Sequence, residues 1–70
     1  MPQDLTPRVV ESRDEEYFER DSGKLRRVTV VTYRLGELGP FREEFEREMF
    51  TEYELQQRMD KKAATLRRFT

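Results

Sequence analysis

The run from Leu25 to Leu35 dictates a strand. Val28, Thr29, Val30, Val31, Thr32 and Tyr33 are all β-branched or aromatic, side chains that lose freedom in a helix and pack well on a pleated surface. Period 2 places Leu25, Thr29, Val31, Tyr33 and Leu35 on one face and Arg26, Val28, Val30, Thr32 and Arg34 on the other. Gly36-Glu37-Leu38-Gly39-Pro40 follows, two glycines and a proline that reverse the chain. Folding back about the middle of that loop sets Leu35 against Phe41, Val31 against Phe45, Thr32 against Glu44 and Val28 against Glu48. Phe41, Phe45 and Met49 then share the face of Val31 and Leu35, an agreement that a slip of one residue would destroy.

On the other side of this strand, Arg8 to Arg20 carries Val9, Val10, Tyr17 and Phe18 around a charged middle, Glu11 to Glu16, that alternates poorly. It reads as an edge strand, where charge discourages pairing with other chains. Asp21-Ser22-Gly23-Lys24 supplies the intervening turn. Residues 1–7, with Pro2 and Pro7 around Leu5, read as a flexible N-terminal arm.

After the third strand, Thr51-Glu52-Tyr53-Glu54 fits a capping box, and Phe50 with Leu55 fits the hydrophobic staple beside it. Leu55, Met59, Ala63 and Leu66 recur at helical spacing, with Phe69 extending the stripe. Glu52 and Glu54 at the start and Arg67 and Arg68 at the end complement the helix dipole. The expectation is an α+β fold: a three-stranded antiparallel sheet packed on one C-terminal helix over residues 52–68, with 8–70 forming a single β-β-β-α domain. Val31, Tyr33, Phe41, Phe45 and Met49 should lie beneath the helix.

Such a domain has a thin core. Hydrophobic residues make up 34% of the 70 and charged residues 41%, against roughly 45–50% apolar, glycine included, and about 25% charged in an ordinary domain. Chains this short usually add disulfides, metal or association to a core worth only a few kcal/mol. With neither cysteine nor histidine, disulfides and zinc-thiolate sites are excluded. Association with other protein subunits, as a homo-oligomer or in a larger assembly, is the expected remaining source of stability. The charge pattern agrees: residues 1–19 and 37–54 are acidic, 20–36 and 55–70 basic, around a net charge of −1. Alternating blocks suit internal or intersubunit pairing better than a uniform field.

The same two absences remove the usual nucleophile-base pairs. Ser12 and Ser22 sit in a charged strand and a turn, and Gly36 and Gly39 lead to Pro40, not to a phosphate loop. The chain is read as no enzyme, with no catalytic residues and no cofactor. Glu43, Glu44, Glu46 and Glu48 have the chemistry of a hard-cation site, but strand alternation puts the last three in a row, which favours a solvated or partner-facing acidic stripe. Val28 and Val30 lie opposite the helix-covered face, as part of a second contact surface or as ordinary exposed residues. Val28, Val30, Glu44, Glu46 and Glu48 are therefore the candidate protein-interaction residues. Arg20, Lys24, Arg26, Arg27 and Arg34 are the candidate nucleic-acid residues, since a two-stranded ribbon can enter a major groove. Acidic strands on both sides oppose that reading and offer these cations cross-strand partners.

The stretch Tyr33-Arg34-Leu35-Gly36-Glu37-Leu38-Gly39-Pro40-Phe41, then Phe50-Thr51 and a helix ending Ala63-Ala64-Thr65-Leu66-Arg67, resembles small proteins encoded in bacteriophage and prophage genomes. The likeness covers roughly residues 8–69, and its motifs are short and structural. Where such chains often carry a proline before the helix, this one has Arg47-Glu48-Met49, so the end of the third strand is open. The resemblance implies a virion or assembly component and transfers no catalytic residue.

The function expected is thus a non-catalytic protein-protein interaction module of the phage structural kind. A DNA-binding regulator using the basic hairpin, or a small inhibitor of a host enzyme, are the alternatives. No apolar run reaches the length of about 20 residues that spans a bilayer, and Met1-Pro2-Gln3-Asp4 lacks the order of a signal peptide. The expected location is the host cytoplasm or the virion.

Overall fold

The computed structural model describes residues 4–69. Its elements run β1 (Pro7–Phe18), β2 (Leu25–Leu35), β3 (Leu38–Glu46), a 3-10 turn (Arg47–Met49) and α1 (Glu52–Arg67). The strands form one antiparallel sheet in the order β1-β2-β3, and α1 packs on one face of it, giving the expected α+β architecture. Tyr33, Leu35 and Val31 on β2 are fully buried, with Phe45 of β3 and with Leu55, Met59 and Ala63 of α1 against them.

The second hairpin is tighter than its sequence suggests. Leu35 pairs with Leu38 around Gly36 and Glu37, and Gly36 takes φ 60°, the positive φ of a two-residue hairpin turn. Phe41 therefore faces Tyr33 in place of Leu35, and Phe45 faces Thr29 in place of Val31. This slip is of two residues, so parity survives and both rings stay on the helix side. Val28 correspondingly meets Glu46, not Glu48. The strand stops there, and Arg47–Met49 turns away from the sheet, leaving Met49 68% exposed instead of beneath the helix.

Thr51 caps α1 by accepting a hydrogen bond from the Glu54 backbone at 3.1 Å. Phe50 packs edge-on against Phe45, with ring centroids 5.1 Å apart. The apolar stripe holds through Leu66, which is half-buried, but not to Phe69, which lies beyond the helix and is 81% exposed.

Residues 4–7 correct the expectation of a free arm; residues 1–3 lie outside the described residues. Leu5 is buried in the core, and Thr6 accepts a backbone hydrogen bond from Gly36. A Cβ at Gly36 would collide with the carbonyl oxygen of Asp4, so the glycine serves both the turn and the close passage of the N-terminal segment.

Candidate protein-docking face

The helix leaves the other sheet face uncovered. A break in register between Val9 and Glu11 decides what that face carries. Beyond the bulge, Glu11, Arg13, Glu15 and Tyr17 stand opposite Thr32, Val30, Val28 and Arg26 on the open face, while Ser12, Asp14, Glu16 and Phe18 turn to the helix side. From β3 the open face receives Arg42, Glu44 and Glu46.

Val28 and Val30 are on this face, but they are not offered to a partner: they are only 1% and 3% exposed. The register flanks Val28 with Glu15 and Glu46 and Val30 with Arg13 and Glu44, and long charged side chains cover apolar neighbours with their stems. Those flanking groups are tied together. Arg13 bonds Glu15 at 2.8 Å and approaches Glu11 at 3.9 Å, and Arg42 approaches Glu15 at 3.9 Å. Tyr17 donates its hydroxyl to Glu44 at 3.1 Å, and Arg26 bridges Glu19 at 2.6 Å and Glu46 at 3.1 Å. The surface of the face is thus a lattice of charges over a buried valine pair.

Ionisation follows the lattice. The hydrogen bond to Glu44 pushes the Tyr17 hydroxyl above the usual phenol range. Glu19 is held below the usual carboxylate range, first by the Ser22 hydroxyl and then by Arg26. On the helix side, burial and then Glu43 push Tyr33 up to about 12.

Glu44 and Glu46 are exposed on the open face as the sequence suggests, whereas Glu48 is not in their row. It lies in the 3-10 turn, lining a groove of about 350 Å³ with Leu25, Arg26, Arg27, Glu46 and Arg47. Glu43 points to the helix side, where its carboxylate accepts from Arg58 at 3.4 Å. Among the described residues, no three acidic side chains converge as a metal site.

The five candidate nucleic-acid residues are dispersed. Arg20 and Lys24 sit in the loop at the β1–β2 tip, Arg26 and Arg34 belong to the open face, and Arg27 lies on the helix side, 3.5 Å from Glu16. Both Arg26 and Arg27 are thereby engaged by acidic residues of the neighbouring strands, the cross-strand pairing the alternating blocks suggest.

Arg13, Glu15, Tyr17 and Arg42 do not stand out in the sequence as a site. Their common face depends on the bulge at Val10, and nothing in the charged run from Glu11 to Glu16 announces where parity changes. Compared with known proteins, the chain matches no family model, no curated protein and no solved structure.

Proposed function

We propose that this chain is a non-catalytic docking module, a small structural or assembly component of the phage kind, and that it binds other protein subunits through the open sheet face. The observation that carries the reading is the lattice itself. Three strands present Arg13, Glu15, Tyr17, Arg26, Arg42, Glu44 and Glu46 in fixed mutual contacts, and no element of the described chain covers them. Fixed charges of both signs select a partner by electrostatic complementarity, and ordering them beforehand lowers the cost of binding. Association would also relieve the marginal stability of so small a core.

Sedimentation of the chain at micromolar concentration, alone and with the products of neighbouring genes, tests this. A complex is expected, and it should be weakened by Glu44→Lys, which alters an exposed position without touching the core. A chain that stays monomeric in every mixture overturns the reading.

The DNA-binding alternative keeps Arg20 and Lys24, which make no ion pair among the described residues. It requires duplex binding that weakens as salt rises, together with a loss in Arg26→Ala and Arg27→Ala.

A further inference from the structure

We infer that Arg8 and Arg34, flanked by Arg42, form a cationic pole of the open sheet face that receives carboxylates from an acidic segment of a protein partner. The inference rests on the docking reading above and names the chemistry of one end of that face.

Arg8 and Arg34 are directly opposed in the β1–β2 register, so their side chains leave the same face side by side. Like charges so placed are destabilising. Elsewhere in the sheet the chain avoids this arrangement: Arg13, Arg26, Arg27 and Arg42 each have a carboxylate within 4.0 Å. Arg8 and Arg34 have none among the described residues. Arg34 is half-buried on the open face, and among the described residues its side chain donates one hydrogen bond, to the backbone oxygen of Glu37 at 2.6 Å. That bond places the guanidinium without neutralising it. Arg42 stands opposite Thr32, one step along the face, and only approaches Glu15 at 3.9 Å. Neighbouring strands lie about 4.8 Å apart, so cations from three strands gather over a span of about 10 Å. Guanidinium forks bind carboxylates in bidentate fashion, and this span fits two acidic side chains of one segment.

The rest of the face decides between kinds of anion. Glu15, Glu44 and Glu46 occupy the positions beyond Arg42 toward the β1–β2 tip, and Glu11 stands across Thr32 from Arg42. A nucleic-acid backbone continuing past the pole would run over them against repulsion. A short acidic segment over Arg8 and Arg34 ends before it reaches Glu15, Glu44 and Glu46.

The test is a titration of the full chain at low ionic strength, following the arginine Nε–Hε signals by NMR. The probes are a tetraglutamate peptide, inorganic phosphate and a duplex oligonucleotide. Expected are saturable shifts of Arg8 and Arg34 with the peptide, and an affinity at least about tenfold lower in Arg8→Glu. The same variant should melt roughly 1–5 °C higher, because a carboxylate at that position pairs with Arg34. Lower binding with higher stability marks a site kept for a partner.

Shifts centred on Arg20 or Arg27, tighter binding of phosphate or duplex than of the peptide, no saturable shift, or a destabilised Arg8→Glu each overturn the inference. Failure of the peptide while Glu44→Lys still weakens assembly removes only this pole. Failure of both removes the docking face with it.

Discussion

Leu5 and Tyr33 show how single residues hold a domain with little apolar mass. Leu5 stands alone among polar residues and prolines, so no periodicity marks it, yet it is 3% exposed and part of the core. Its burial depends on Gly36, which is distant in sequence and admits the N-terminal segment by lacking a side chain. Leu5→Ala should cost about 2–5 kcal/mol in urea unfolding, the range for emptying a buried leucine site. A change below about 1 kcal/mol would mean that the segment is not docked.

Tyr33 is legible as core, but its ionisation is not, because burial and Glu43 act only in the fold. Its pKa rises from 10.0 to about 12. A group raised on folding contributes its full stability below its unfolded value and loses it as pH climbs through the folded one. Stability should therefore fall between about pH 10 and about pH 12, and Tyr33→Phe should lessen that fall. Circular dichroism alongside phenolate absorbance checks this. Ionisation of Tyr33 near pH 10 in the intact fold would contradict it.

At the scale of elements, legibility follows the strength of local pattern. β2 and α1 were readable because each carries a continuous periodic signal, and the cap at Thr51 has its own chemistry. Thr51→Ala should cost about 0.5–2 kcal/mol, measured by thermal or denaturant unfolding. An unchanged midpoint would show that packing alone fixes the helix start.

β1 is harder to read, since its bulge at Val10 exchanges faces just ahead of a run of charges and no sequence rule fixes that point. The end of β3 is hard to read for a different reason: Arg47, Glu48 and Met49 can continue a strand. In the fold, Arg47 reaches across to β1, 3.6 Å from both Asp14 and Glu16 and 3.2 Å from the Glu15 carbonyl. These long-range contacts hold the chain where it leaves the sheet. The Phe41 and Phe45 faces survived because pairing slipped by an even number of residues.

At the scale of the whole molecule, the alternating charge blocks become neighbours in space, with acidic β1 and β3 on either side of basic β2. Exposed ion pairs of this kind add little stability each, so their consequence lies mainly in what the surface recognises. The overall charge of −1 leaves weak net repulsion between copies or partners. The two-stranded end beyond the last β2–β3 pair also exposes Phe18 and Leu25, at 72% and 44%.

Among the described residues no helix is long and apolar enough to cross a membrane. The most direct measurement is affinity co-purification of the full chain expressed in its native genetic context, with bound subunits identified by mass spectrometry. Wild type should retain a defined protein subunit. Arg13→Glu combined with Glu44→Lys should lose it, while Tyr53→Ala, an exposed change on the helix, should keep it. Equal retention by both variants, or no subunit bound to wild type, would contradict a docking role for the open sheet face.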